Sequence, residues 1–179
     1  GGEIVLRPRP GAPEREQDVL VGNTVLYGAT GGHTYIRGTA GERFAVRNSG
    51  ARTVVEGVGD HCCEYMTKGT VVVLGKTGKN FGAGMTGGKA FVYDPNDSFV
   101  GKYNSDFVRV ERADSLDDLA DARQLIQAHA DKTDSRLAES ILDDWEEAAA
   151  KFWTVTPWEI IELERDEEDE EPASESDVA

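Results

Sequence analysis

Short apolar and β-branched runs punctuated by glycine fill the first 110 residues of this chain. They fall at 4–6, 24–27, 34–36, 44–46, 53–56, 70–74, 90–93 and 107–110. Val, Thr, Tyr and Phe dominate them, which predicts strands. The runs starting at 34, 53, 71, 90 and 108 are separated by 19, 18, 19 and 18 residues, and those at 4, 24 and 44 by 20 each. A fixed step of this size predicts a solenoid. The flanks repeat as well. Gly1-Gly2-Glu3-Ile4-Val5-Leu6, Gly31-Gly32-His33-Thr34-Tyr35-Ile36 and Gly87-Gly88-Lys89-Ala90-Phe91-Val92 are variants of one unit, and Lys68-Gly69-Thr70-Val71 is a partial copy. Each is a glycine corner feeding a strand. A coil that turns sharply needs positive φ at its corners, and stacked corners leave no room for a Cβ. Gly32, Gly57, Gly59, Gly75, Gly78, Gly82, Gly84, Gly87 and Gly88 are the expected corner positions. A sandwich or barrel would instead use two-residue hairpin turns, which are scarce.

Helical periodicity replaces the short runs after Arg112. Ser115 and Asp118 form a capping-box pattern, and Leu116, Leu119, Ala122, Leu125, Ile126 and His129 follow at helical spacing. A second helix is expected over 135–151, with Leu137, Ile141, Leu142, Trp145, Ala148 and Phe152 on one face. Such helices either cap the open end of the solenoid or lie along its side, and Trp153, Pro157 and Trp158 are expected to anchor the exit. The expected architecture is an all-β main body, a right-handed parallel β-helix, over 1–112. A two-helix segment over 113–158 packs on it, and a disordered acidic tail fills 159–179.

The net charge is −15, but residues 159–179 hold eleven acids and one base, so the body carries 23 acids against 18 bases. No clustered Lys and Arg surface is legible, which argues against nucleic acid as a partner. The two cysteines, Cys62 and Cys63, are adjacent and have no other partner to bridge. A reducing, cytoplasmic compartment is therefore expected. No apolar run is long enough to span a membrane, and no signal peptide precedes the first strand. The opening at Gly1-Gly2, straight into an apolar run, reads as a boundary inside a fold.

Several motifs suggest chemistry. Gly82-Ala83-Gly84-Met85-Thr86-Gly87 matches the dinucleotide fingerprint and follows a strand, yet a further strand pattern stands where the phosphate-binding helix belongs. Gly88-Lys89 lacks the hydroxyl residue of a P-loop, and Gly75-Lys76-Thr77 has Thr70 where the first glycine belongs. Asp60-His61-Cys62-Cys63-Glu64 gathers possible ligands, but metal sites use spaced pairs, and adjacent residues on an extended segment point apart. The expectation is that Asp60 and Glu64 accept from backbone amides at a corner and that a Cys fills a core slot. Asn96-Asp97-Ser98 is a formal glycosylation sequon that reads as a turn.

Longer motifs carry a family resemblance. Three of them are Gly22-Asn23-Thr24-Val25-Leu26-Tyr27-Gly28, Gly41-Glu42-Arg43-Phe44-Ala45-Val46-Arg47-Asn48-Ser49-Gly50 and Glu56-Gly57-Val58-Gly59-Asp60-His61-Cys62-Cys63-Glu64-Tyr65-Met66. The fourth runs from Val73 to Gly88. Together they resemble the C-terminal domain of the glutamate synthase large subunit, as do Asp143-Asp144-Trp145-Glu146 and Lys151-Phe152-Trp153. The resemblance implies a parent enzyme in which an amidotransferase domain releases ammonia from glutamine. A flavin domain with FMN and an iron–sulfur cluster then aminates 2-oxoglutarate, drawing electrons from NADPH, NADH or ferredoxin. It implies a structural spacer between those domains, with no catalytic, cofactor-binding or metal residue in this chain. Three departures from the family stand out. The glycine repeats generally continue upstream of Gly1, Cys62 replaces a usual glycine at a corner expected to be tight, and the acidic tail is longer. The glycine-rich β-helix subunit of formylmethanofuran dehydrogenase and a free-standing interaction scaffold are the alternatives.

Overall fold

The computed structural model describes residues 1–9, 11–12, 19–113 and 115–170, with side-chain surroundings up to residue 166. In chain order the elements are β1 (Glu3–Leu6), β2 (Val19–Val21), β3 (His33–Ala40), β4 (Ser49–Gly57), β5 (Lys68–Val73), β6 (Lys89–Tyr93), β7 (Val108–Arg112), α1 (Ala120–Thr133), α2 (Arg136–Asp143), α3 (Trp145–Ala149), β8 (Phe152–Pro157) and α4 (Trp158–Glu170). The sheet runs β1-β3-β4-β5-β6-β8-β7, with β2 pairing the far end of β3.

Pairing from β1 through β3, β4 and β5 to β6 is parallel throughout. Thr34, Thr53, Val71 and Ala90 stand in register, as do Tyr35, Val54, Val72 and Phe91, and Ile36, Val55, Val73 and Val92. The steps of 19, 18 and 19 residues between partners are the sequence repeat itself. The body is a parallel β-helix.

Ile36, Val55, Val73 and Val92 point into the coils, where they meet Phe44, Phe81 and Phe99. Tyr35, Val54, Val72 and Phe91 point the other way, onto Leu125, Ile126, Ile141 and Trp145 of the helices. Both faces of these strands are covered, which explains why Val71-Val72-Val73 is a continuous apolar run rather than an alternating one. The helices lie along the side of the solenoid. Lys132 to Glu3 (3.0 Å), Arg52 to Asp121 and Arg7 to Asp134 tie α1 to the strands at its rim.

Several elements differ from the sequence expectation. Runs 24–27 and 44–46 are turns, not strands. Strand β7 does not extend the parallel stack, because β8 lies between it and β6 and pairs antiparallel with both. Residues 152–157, expected as a helix exit, are therefore a sheet strand, in which Phe152 and Val155 are fully buried. The expected helix over 135–151 breaks at Asp144 (φ −125°, ψ 57°), which divides α2 from α3. Asp is a poor helix former, and the break coincides with Trp145 packing against Phe152 at 5.7 Å between ring centroids. The capping box of Ser115 and Asp118 forms (3.0 Å), but it closes a turn ahead of α1, which begins at Ala120. The acidic segment is helical from Trp158 to Glu170, where good helix formers and an acid in the first turn favour it. Its end, 171–179, expected to be disordered, lies outside the described residues.

Phe152 packs on Tyr93 (5.2 Å) and Trp145 with no exposure. Phe152→Ala is expected to lower stability by about 3–5 kcal/mol, read as an earlier urea unfolding midpoint with little change in slope.

Candidate functional site

Two of the stretches that suggested chemistry, Asp60 to Glu64 and Gly82 to Gly84, lie on one side of the solenoid, where the chain turns between strands. Here Thr24 and Leu26, then Arg43, Ala45 and Arg47, then His61, Cys63 and Tyr65, then Asn80, Gly82 and Gly84 all have φ between 54° and 73°. Every second residue is left-handed, in four stacked coils. The arrangement is held by hydrogen bonds between coils. Arg43 N donates to Asp60 O (2.8 Å) and Arg47 N to Glu64 O (2.8 Å), while Ala45 N donates back to Val25 O (2.9 Å). The next coil repeats this with His61 to Lys79 O, Tyr65 to Ala83 O and Cys63 to Phe44 O. A left-handed L-residue costs roughly 1–2 kcal/mol, and a hydrogen bond returns about 1. Burial of Phe44, Cys62 and Phe81 in the column beneath offsets the remainder.

The positive-φ burden thus falls largely on residues other than glycine. Of the expected corner glycines, Gly32, Gly82, Gly84 and Gly88 have positive φ, while Gly57, Gly59, Gly75, Gly78 and Gly87 do not. At those five, space is the constraint. A Cβ on Gly75 would sit 2.3 Å from Glu56 O, one on Gly87 2.2 Å from Thr67 O, and one on Gly78 2.4 Å from Asp60 N. The sequence carried no signal for the left-handed side chains beyond the repeat, because Arg, Cys and Tyr have no preference for that region.

Cys62 sits in the column of Phe44 and Phe81 with ordinary φ, and its neighbour Cys63 takes the left-handed position. The extra Cβ at position 62 therefore meets no corner. The Sγ atoms are 3.6 Å apart in the core, and burial pushes the Cys62 thiol well above its ordinary range. His61 faces outward and bonds Glu64 Oε1 through Nδ1 (2.7 Å), with Asn80 Nδ2 at 3.5 Å. The geometry thus separates the imidazole from both thiols. Asp60 Oδ1 accepts from Lys79 N (2.7 Å), as expected, but Glu64 is engaged by His61 rather than by an amide. Among the described residues no three His, Cys, Asp or Glu side chains converge as metal ligands.

Gly82 and Gly84 lie in the ladder, and Gly87 and Gly88 lead into β6 rather than into a helix. The ring of Tyr65 covers Gly84, where a Cβ would come 2.5 Å from Cδ1 and Cε1. The backbone approach that a dinucleotide needs is filled by a tyrosine. At the starts of β4, β5 and β6 an open trough of about 440 Å³ runs over Gly50, Gly69 and Gly88, flanked by Lys68, Lys89 and Ile160.

Two polar nodes, one half-buried and one buried, escaped the sequence reading. Glu56, at the end of β4, accepts from Ser135 Oγ and lies 3.3 Å from His129 Nε2, joining the helices to the sheet. Ser135 also caps α2 through Ala138 N. Asp94 is the other node. Burial opposes its charge, but donors at Phe99 N (2.8 Å), Ser98 N (2.9 Å), Ser98 Oγ and Trp153 Nε1 outweigh that and hold its carboxyl below the ordinary value. The sequon at Asn96 is thus part of an Asp-centred turn. Arg112 stacks on Trp153 at 3.7 Å and pairs with Asp97.

These features define a glycine-cornered parallel β-helix domain with a helical layer along its side. The chain belongs to the GXGXG motif family, whose profile matches residues 1–158. It is 50% identical over 158 residues to the chloroplastic ferredoxin-dependent glutamate synthase of Spinacia oleracea, and 51% identical over 158 residues to the ferredoxin-dependent glutamate synthase of Pyropia yezoensis. It is 48% identical over 174 residues to the NADH glutamate synthase of Schizosaccharomyces pombe. The matches cover 88% of this chain in the first two and 95% in the third, but only 10%, 10% and 8% of the relatives, so the chain spans about a tenth of their length. Among the described residues no helix is long and apolar enough to cross a membrane.

Asp94→Asn is expected to reduce stability at neutral pH by about 1–3 kcal/mol. Because the folded pKa of Asp94 is depressed, its contribution is complete above the unfolded value near 3.9 and is lost as pH falls through the folded value. Urea titrations of both proteins should therefore converge toward acid pH, and a constant gap would contradict the assignment. Gly84→Ala, at φ 67° and against the Tyr65 ring, should cost about 1–2 kcal/mol in the same assay.

Proposed function

We propose that this chain is the structural β-helix domain of a glutamate synthase, the enzyme that transfers the amide nitrogen of glutamine to 2-oxoglutarate, and that it performs no chemistry itself. The observation that carries the reading is identity near 50% over almost the whole chain to glutamate synthases about ten times longer. The domain's partners are then the amidotransferase and FMN-binding domains, and FMN and the iron–sulfur cluster belong to those domains. Its role is to hold them at a fixed separation. The internal use of its polar groups supports this. His61 is bound to Glu64, Glu56 to Ser135, and Asp94 to four donors. The nine corner glycines serve close coil stacking, which makes the spacer stiff. Among the described residues the first coil is uncovered, with Ile4 and Val5 of β1 and Val19 of β2 52%, 38% and 61% exposed, and that edge suits a further coil. The buried free thiols suit a reducing cytoplasm.

The purified chain is expected to fold and to release no ammonia from glutamine; measurable turnover would refute the proposal. In the complete synthase, Gly75→Val forces adjacent coils apart at Glu56 O. It should lower glutamine-dependent glutamate synthesis more than glutamine hydrolysis. Equal loss of both would speak against a spacer.

A further inference from the structure

The left-handed ladder carries on its outer surface a group that the internal network does not use. Tyr27 and Tyr65 are 55% and 60% exposed, although large aromatic side chains are normally well covered. Arg47, also exposed, belongs to the same group. Its Nη1 donates to Tyr27 Oη at 3.4 Å, and its backbone N bonds Glu64 O, next to Tyr65 in the following coil. None of the three hangs free on a flexible loop. Arg47 and Tyr65 project from inter-coil hydrogen bonds, and the Tyr65 ring is seated on Gly84, where only a glycine leaves room. The group is an arginine flanked by two phenols on a rigid backbone. Tyr and Arg are the residues that dominate interface energetics, and preorganisation lowers what ordering would otherwise cost on binding.

Charge narrows the partner. Arg43 stands in the same coil as Arg47 and exposed Lys79 two coils on, and among the described residues no acid pairs with either arginine. The two acids of the intervening coil are taken, Glu64 by His61 and Asp60 by the Lys79 amide. On a chain of net charge −15, Glu42, Asp60 and Glu64 match Arg43, Arg47 and Lys79 in number on this face, so what it offers a partner is the Arg47 guanidinium, which has no paired acid among the described residues. A phosphate-rich partner is disfavoured by that overall charge. The outward face of the sheet is already covered by α1, α2 and α3, so it cannot receive a second domain. About nine-tenths of each relative's length lies outside the matched region, which supplies the chain that could cover this face.

We propose that Tyr27, Arg47 and Tyr65 form the docking platform for another domain of the same synthase polypeptide, through a surface that places a carboxylate on Arg47 between the two phenol rings. This rests on the reading of the chain as one domain of a longer synthase. The guanidinium keeps donors beyond its bond to Tyr27 and offers them in a planar fork that matches a carboxylate. The rings on either side exclude water from that pair.

Hydroxyl-radical footprinting of the complete synthase, corrected for intrinsic side-chain reactivity, tests this. Tyr27 and Tyr65 should oxidise several-fold more slowly than their exposure in the domain predicts. Arg47→Glu should raise both rates several-fold and leave Trp158 and Leu163 unchanged, whereas Arg47→Lys should retain part of the protection. Protection that persists unaltered in Arg47→Glu would overturn the carboxylate pairing. Rapid oxidation of both tyrosines, with protection at Val100, Trp158 or Leu163, would place the neighbouring domain elsewhere and overturn the platform while leaving the spacer role intact. Rapid oxidation at all of these positions would overturn both.

Discussion

Backbone hydrogen bonding between successive coils is the constraint from which the remaining structure follows. Each coil lies directly against the one before it, so from β3 to β6 a strand residue's partners stand 18 or 19 places away. Stacked this closely, a coil leaves no room for side chains at its tightest steps, which accounts for Gly75, Gly78 and Gly87. It also forces the turning segments to satisfy their amides on neighbouring coils instead of locally. The alternating left-handed ladder is the result, and its local strain is offset by inter-coil hydrogen bonds and by the apolar column beneath.

A stack of this kind has two further needs, and the C-terminal region meets both. Its strands are apolar outward as well as inward, so a second layer must cover them, and the helices do so. Its last parallel strand, β6, presents an open edge, which invites uncontrolled pairing. After the helices the chain returns as β8, closes that edge in the opposite direction, and is closed in turn by β7. Glu56 links the layers by receiving Ser135 and His129 together. The other end of the stack, at β1, has no such cover among the described residues.

The groups that looked reactive are spent on this architecture. The thiols fill the core, His61 and Glu64 close on each other, and Gly84 seats Tyr65. Rigidity in such a body suits holding other domains apart, and the exposed surface of the ladder becomes its most distinctive feature. An arginine without a paired acid, set between exposed Tyr27 and a Tyr65 seated on Gly84, offers recognition without catalysis.

The solenoid was legible in the chain alone, because a coil repeat is a linear property. The spacing from Thr34 to Thr53, Val71 and Ala90 equals the register. The long glycine motifs likewise pointed to the family, and the missing helix after Gly87 already argued against a nucleotide site. What could not be read was how coil-to-coil contact shapes the turns and the end of the stack. The runs at 24–27 and 44–46 have strand composition, but their left-handed turns exist only because neighbouring coils accept their amides. Phe152-Trp153-Thr154-Val155 becomes a strand because β6 and β7 offer edges on both sides, a circumstance far away in sequence. The helix break at Asp144 accompanies Trp145 reaching Phe152 across the layer, and the platform of Tyr27, Arg47 and Tyr65 assembles from three coils. Local preference and repeat length therefore determined the coil, whereas tertiary hydrogen bonding and packing decided how it turns, how it ends and which face it shows.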